Sequence, residues 1–195
     1  FVFDEMKNLN TIKFSGNCLL ENENKIVNNN IKNVEITSNL LHIEDDYFKY
    51  FESLEKVDFD TSTTIYFIPK CCFAGKTKLT KIVIPSSCQL ISEKAFKDCV
   101  NLESVEINTI LSLIIENEAF YNCSSLLNIE LSNAIKKIGK KAFMNCTKLK
   151  EFRIGTQLNN DNNDSIEHID DCAFKNCVSL VSFKIPDSCQ SIGRY

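Results

Sequence analysis

Five scattered glycines, three prolines and two histidines among 195 residues exclude several kinds of chemistry. The glycines form neither a phosphate loop nor a dinucleotide fingerprint, each of which needs glycines gathered at a strand-to-helix turn. No serine stands in a nucleophile elbow, and the carboxylates are dispersed along the chain. His42 and His168 lie far apart, and no CxxC pair joins either of them to make a zinc site. Cofactors are expected to be none and the chain is expected not to be an enzyme. A net charge of −4 with a pI near 5.3 does not provide the clustered lysine and arginine that nucleic acid requires. No apolar run approaches the roughly eighteen residues of a bilayer span, the longest candidate being the six residues from Ile110 to Ile115.

What the chain has is a repeat. Phe48, Phe73, Phe96, Phe120, Phe143 and Phe174 are each followed six residues later by Leu54, Leu79, Leu102, Leu126, Leu149 and Leu180. Each copy then reaches a closing pair of large apolar residues: Val57 and Phe59, Ile82 and Ile84, Val105 and Ile107, Ile129 and Leu131, Phe152 and Ile154, Phe183 and Ile185. The anchors are spaced by 25, 23, 24, 23 and 31 residues, a period that signals a solenoid rather than a closed core. The template also catches Phe3, Leu9, Ile12 and Phe14, then a degraded copy in Ile26, Ile31, Val34 and Ile36. About eight repeats thus fill residues 1–195 as a single array, degenerate over 1–42 and regular over 43–193. Repeat elements at both ends, without polar caps, predict an uncapped fragment of a longer protein.

The copy from Ile91 to Ile107 predicts how one repeat folds. Ala95, Phe96, Cys99 and Leu102 fall at spacings of one, four and seven, which predicts one side of a short helical turn. Leu102, Val105 and Ile107 follow with the alternation of a strand, Val105 and Ile107 inward, Ser104 and Glu106 outward. Pro85 and Pro186 end their strands because proline removes a ladder donor, whereas Pro69 suits the first turn of the helical segment before Phe73. Every strand runs the same way, so neighbours pair in parallel and each copy hides its apolar face only against the next. Truncating an internal anchor such as Phe96 is expected to cost about 3 to 5 kcal/mol.

The runs Ile82-Val83-Ile84-Pro85-Ser86-Ser87-Cys88, Ile91-Ser92-Glu93-Lys94-Ala95-Phe96-Lys97-Asp98-Cys99 and Ile138-Gly139-Lys140-Lys141-Ala142-Phe143-Met144-Asn145-Cys146 closely resemble the BspA-like, or Treponema-type, leucine-rich repeat. Lys76 and Phe51 replace the usual cysteine, and the isoleucine-glycine step before the alanine-phenylalanine position has its glycine only at Gly139 and Gly193. The resemblance implies an α/β fold: a right-handed leucine-rich-repeat solenoid with a curved parallel sheet on its concave face and short helical turns or 3-10 segments opposite. It also implies cell-surface or secreted proteins of bacteria and protists that bind other proteins.

Most of the ten cysteines fall on repeat positions. Cys99, Cys123, Cys146 and Cys177 follow their anchors by three residues, and Cys18, Cys88 and Cys189 sit four past the last apolar residue of a strand. Periodic thiols stacked about 4.7 to 4.9 Å apart with parallel side chains do not suit disulfides, which need converging Cβ atoms near 3.8 Å. Reduced, buried thiols are expected, and they would fit a cytoplasmic setting as the resemblance fits a surface one. The adjacent Cys71 and Cys72 read as one exposed and one inward residue. The insertion from Gly155 to His168 reads as a mobile polar loop, with Asp161, Asn163 and Glu167 as oxygen donors that lack the rest of a calcium loop. Sequons at Asn122, Asn145 and Asn163 are no more than chance supplies.

The outward residues between the closing pairs define a candidate partner-binding face. One column reads Lys13, Glu35, Asp58, Val83, Glu106, Glu130, Arg153 and Lys184, and its neighbour Thr11, Asn33, Lys56, Lys81, Ser104, Asn128, Glu151 and Ser182. Glu35, Asp58, Lys81, Glu106, Glu130, Glu151 and Arg153 are the candidate contacts, and a protein partner with a basic segment is the expected match. The functional expectation is a non-enzymatic protein-interaction scaffold; the alternative is a surface or secreted adhesin binding host or neighbouring-cell glycoproteins.

Overall fold

The computed structural model describes residues 5–16, 19–21, 23, 26–37, 42–107, 109, 111–131, 135–154, 166–185 and 187–194. Phe3, Cys18, Pro186 and the body of the insertion, with Asp161 and Asn163, lie outside the described residues. Alternation of outward polar and inward β-branched residues produces a long strand in successive coils: β1 (Thr11–Ser15), β3 (Asn33–Thr37), β5 (Lys56–Phe59), β7 (Lys81–Ile84), β9 (Ser104–Ile107), β11 (Asn128–Leu131) and β13 (Glu151–Ile154). They pair in parallel in two blocks, β1-β3-β5 and β7-β9-β11-β13. The registers Lys13 to Glu35 to Asp58 and Val83 to Glu106 to Glu130 to Arg153 are those the repeat spacing predicts. The last copy departs from the template. Ser182 makes only an isolated bridge to Glu151, and Ile185 is 45% exposed, so Phe183 and Ile185 close no strand and Lys184 joins no column.

A second parallel sheet, absent from the sequence expectations, stacks shorter strands from each coil. These are β6 (Phe67–Ile68), β8 (Leu90–Ile91), β10 (Leu113–Ile115), β12 (Ile135–Ile138), β14 (His168–Ile169) and β15 (Ser191–Ile192), with β2 (Leu19–Leu20) and β4 (His42–Ile43) forming a separate pair. The inward residues Leu20, Ile43, Ile68, Ile91, Ile115, Ile138 and Ile169 are buried and face the core. Pro69 accordingly follows β6, its carbonyl accepting the Cys72 N–H, rather than opening a helix. Pro85 follows β7 as expected.

The third side of each coil carries the anchor phenylalanine, and here the expectation of short helical turns or 3-10 segments is not met: the anchor segments are turns, no α-helix occurs among the described residues, and 3-10 conformation is found only at Glu23, away from the anchors. Residues two before the anchor (Asp46, Cys71, Lys94, Glu118, Lys141, Cys172) and two after it (Gly75, Asp98, Asn122, Asn145, Asn176) have positive φ. A left-handed residue every four positions is incompatible with a right-handed helix. The N–H groups instead alternate between two destinations. Ala95, Lys97 and Cys99 donate three residues back within the coil, whereas Lys94, Phe96 and Asp98 donate to Asn117, Ala119 and Tyr121 of the next. The backbone therefore bonds coil to coil on all three sides.

The anchor rings stack through the interior. Phe48, Phe73, Phe96, Phe120, Phe143 and Phe174 form a continuous column with centroids 5.1 to 5.4 Å apart and interplanar angles of 3° to 17°. Ala95, Phe96, Cys99 and Leu102 are all fully buried, so the grouping read from their spacing holds although the helix does not. One hydrophobic cluster runs from Ile12 to Ala173.

Candidate functional site

Register stacking sets the geometry of the long-strand face. Each outward residue sits beside its equivalents in the coils above and below, at about the 4.8 Å spacing of hydrogen-bonded strands. All seven predicted contacts lie on this face. Glu35 and Asp58 belong to the β1-β3-β5 block, and Lys81, Glu106, Glu130, Glu151 and Arg153 to the β7-β9-β11-β13 block. Most of their charge is met within the face. Lys13 reaches Glu35 at 3.7 Å, Lys56 reaches Asp58 at 2.6 Å, Lys81 pairs with Glu106, and Arg153 turns to Glu151 at 2.7 Å. Asp58's hydrogen bond raises the Lys56 pKa above its ordinary value. Such exposed pairs are screened by water and add little to the stability of the fold. Glu130 differs. It is exposed, stands in register between Glu106 and Arg153, and has no ion pair among the described residues.

The cysteine column has a role that the spacing alone did not show. The thiols of Cys99, Cys123, Cys146 and Cys177 donate to the carbonyls of Phe73, Phe96, Phe120 and Phe143 in the preceding coil, at 3.0, 3.2, 3.2 and 3.1 Å. Where the slot holds Lys76, its buried side chain stretches to the Lys49 carbonyl at 3.0 Å, and Phe51 fills the slot one coil earlier. Burial pushes the Cys99 thiol up to about 12 and the Cys177 and Cys88 thiols up to about 11. Because the thiolate is the nucleophile, these groups are inert near neutral pH. In native protein, a thiol reagent is expected to modify Cys71 and Cys172 while Cys72, Cys88, Cys99, Cys123 and Cys146 react only on unfolding. Peptide mass mapping after timed labelling checks this; modification of the buried five at the rate of Cys71 would disprove the burial.

The other candidate residues are placed by the fold. Cys72 is buried and Cys71 half-buried, as adjacent inward and outward positions require. His42 packs near Phe67 with ring centroids 6.0 Å apart, and His168 Nδ1 lies 2.8 Å from Ser191 Oγ. The two histidines belong to different sheets, β4 with β2 and β14 in the six-stranded sheet. Glu167 pairs with Lys136 at 3.0 Å. Asn122 and Asn145 occupy left-handed turn positions, for which asparagine is favoured. Asn122 donates to Asp98 at 2.9 Å and Asn145 accepts from Asn176 at 2.8 Å, so turn geometry accounts for both asparagines. An ionic cluster on the turn side was not read from the sequence. Lys70 hydrogen-bonds Glu93 at 2.8 Å and Lys94 adds a second bond at 2.7 Å, which together lower the Glu93 carboxyl to about 2.

Parallel sheets stacked coil on coil, with repeating buried aliphatic residues, define a leucine-rich-repeat solenoid. Residues 1–67 and 66–195 match the BspA type leucine rich repeat region in six copies, and the chain belongs to that family. Its fold is similar to a leucine rich cell surface protein of Faecalibacterium prausnitzii, with a TM-score of 0.65 and 22% identity over 94% of this chain and 46% of that one. The T. pallidum leucine rich repeat protein is similar with a TM-score of 0.65 and 25% identity, over 83% of this chain and 72% of that one. A pneumococcal vaccine antigen follows with a TM-score of 0.59 and 16% identity, over 93% of this chain and 57% of that one. This chain thus spans about half the length of the Faecalibacterium protein. No curated protein matches it.

Proposed function

We propose that the chain is a non-enzymatic interaction scaffold, a single array of about eight repeats whose long-strand face is the concave side of a right-handed solenoid and binds a protein partner. The observation that carries this reading is Glu130. Like charges directly opposite one another on paired strands are destabilising, yet Glu106 and Glu130 are registered side by side, and only Glu106 has a lysine. An exposed carboxylate kept in the middle of this face without a counter-ion among the described residues suits a partner's basic segment, and its contribution falls mainly on association rate and selectivity. Glu151 and Arg153 lie one coil beyond it and Lys81 two coils before it, with Asp58 and Glu35 farther along the same face. The second reading is a cell-surface or secreted adhesin binding host or neighbouring-cell glycoproteins, and the similarly folded cell surface protein of Faecalibacterium prausnitzii favours its location alone.

The test is a pulldown comparing the chain with its Glu106→Lys plus Glu130→Lys variant. Both side chains are exposed and the ion pair that is lost, Lys81 to Glu106, adds little, so the variant is expected to stay folded, and its melting transition is measured alongside. Partner recovery is expected to fall at least about tenfold, with slower association that depends less on salt. Unaltered recovery removes this face as the site.

A further inference from the structure

The three-sided bonding around Phe96 does not run the whole length of the array. The sheets β1-β3-β5 and β2-β4 hold only strands that precede residue 60, while β7-β9-β11-β13 and the sheet from β6 to β15 hold only strands that follow residue 66. Among the described residues, no strand pairing crosses from one group to the other. Elsewhere on the long-strand side the residue before each strand extends the ladder. The Glu55 N–H donates to the Lys32 carbonyl at 2.8 Å, Glu103 to Thr80 at 2.8 Å and Leu127 to Glu103 at 3.1 Å. The Glu55 carbonyl, at the equivalent place, receives neither the Thr80 nor the Lys81 N–H. Ion pairs keep to the same division: Lys56 holds Asp58 and Lys81 holds Glu106, each within its own group.

The connection between the groups divides in the same way. Residues 60–66 link β5 to β6. The first half is bound to the preceding coil, with the Asp60 N–H and the Thr63 hydroxyl both donating to the Ile36 carbonyl, at 2.8 and 3.0 Å. The second half is bound to the following coil. The Ile65 N–H donates to Ser87 Oγ at 3.0 Å, the Ser87 hydroxyl returns a bond to the Ile65 carbonyl at 2.9 Å, and Gln89 donates to the Tyr66 carbonyl at 2.8 Å. Thr64 stands where the allegiance changes.

The bonds that do cross the boundary gather on the turn side. The Asp46 N–H donates to the Lys70 carbonyl at 2.9 Å, the Lys70 N–H to Asp45 Oδ1 at 2.9 Å, and Lys76 Nζ to the Lys49 carbonyl at 3.0 Å. Inside, Phe48 and Phe73 stack at 5.3 Å and 8°, so the core is continuous. Hydrogen bonds fix both the distance and the angle between coils, whereas apolar contact is non-directional and permits rotation. Full closure of the long-strand side would also set Lys56 beside Lys81, and like charges on neighbouring strands oppose it.

We propose that the array is two rigid blocks, one ending at Thr63 and one starting at Ile65, hinged at Thr64 and on the turn-side bonds, so that the long-strand face opens and closes between β5 and β7. A few connecting residues absorb the rotation, as in other hinges. The movement carries Glu35 and Asp58 toward or away from Lys81, Glu106 and Glu130 and so changes the curvature of that face. The hinge stands whether or not the face binds a partner, and a partner touching both blocks would select one angle.

Disulfide trapping tests this, with oxidised glutathione as the oxidant and at temperatures well below the melting transition. Asp58→Cys plus Val83→Cys puts one thiol on each side of the boundary, and Glu106→Cys plus Glu130→Cys puts two at equivalent positions of paired strands. Paired strands hold parallel side chains too far apart for a disulfide, so the boundary pair is expected to close at least about tenfold faster. Lys56→Cys plus Lys81→Cys against Ser104→Cys plus Asn128→Cys repeats the comparison one column away, in case a first variant folds poorly. Hydrogen exchange reads the boundary in the unaltered chain: Thr80 and Lys81 are expected to be protected at least about tenfold less than Glu103 and Ser104. Equal closing rates in the two pairs overturn the proposal, as does equal protection of the two amide pairs. A boundary disulfide that forms only as the chain begins to melt also overturns it, because the opening would then be unfolding.

Discussion

Phe96→Ala is expected to destabilise the array by about 3 to 5 kcal/mol and to open it locally rather than along its whole length. The ring is fully buried, 5.3 Å from Phe73 on one side and 5.1 Å from Phe120 on the other. Its removal costs the transfer of a large apolar side chain, two offset-stacked contacts and a cavity. That cavity cannot collapse. The coil spacing around it is held by the Phe96 N–H bond to Ala119, by the β7-β9-β11 pairing and by the β6-β8-β10 pairing. The Phe96 carbonyl, which accepts the Cys99 N–H and the Cys123 thiol, loses its rigid support as well. In a quasi-one-dimensional array each coil is stabilised by its neighbours, so the loss concentrates in the coils flanking residue 96. Hydrogen exchange is expected to show lost protection in the turns around Phe73, Phe96 and Phe120, while the β1-β3 pairing keeps its own. Phe174→Ala, at a half-buried ring, is the internal comparison and should cost less. An unchanged melting transition in Phe96→Ala would contradict the stacked column.

The difference between what the sequence shows and what it hides follows from what each pattern samples. Alternation over four residues, as in Ser104 to Ile107, fixes which side chains face in, and a constant spacing then forces equivalent residues into register. The pairing of Val83, Glu106, Glu130 and Arg153 was legible for that reason. The second sheet was not, because two-residue strands such as Leu90–Ile91 are too short to display alternation. The helical expectation failed for a different reason. Consecutive three-residue turns also place Ala95, Phe96, Cys99 and Leu102 on one side, and the two geometries differ in the sign of φ at Lys94 and Asp98. Lysine gives no warning of a left-handed conformation. The column Gly75, Asp98, Asn122, Asn145 and Asn176, composed of the residue types that tolerate it, was the available signal. On the candidate face the sequence supplies the signs of the charges. Only the structure shows that Lys81 reaches across to Glu106 while Arg153 turns away from Glu130 toward its own strand.

Gly139→Ala tests how closely the coils approach. A Cβ at this position would lie 2.6 Å from the Glu116 carbonyl carbon and 2.7 Å from the Asn117 nitrogen, both backbone atoms of the preceding coil. Neither can swing aside as a side chain would. Gly139 donates to the Ile115 carbonyl at 2.7 Å, and the next N–H, of Lys140, donates to Asn117 Oδ1 at 2.9 Å. Relieving the clash therefore means lengthening these bonds and the Glu118 N–H bond to Lys140 beside them. The crowding lies just after the β10-β12 pairing, where Ile115 is in register with Ile138, so the two backbones are tied together next to it. Overpacking of this kind costs about 1 to 3 kcal/mol, and valine should cost more than alanine. Gly75→Ala separates this effect from backbone preference. Gly75 has φ of +70° with nothing within 4 Å of its would-be Cβ, so its replacement meets only the left-handed penalty of about 1 to 2 kcal/mol. Urea midpoints are the measurement. Enlarging the side chain from alanine to valine should lower the midpoint further at Gly139, while at Gly75 the alanine variant shows the left-handed penalty alone, with no contact made. A Gly139→Ala midpoint equal to wild type would show that the coils separate freely, and the three-sided backbone bonding would then not set their spacing.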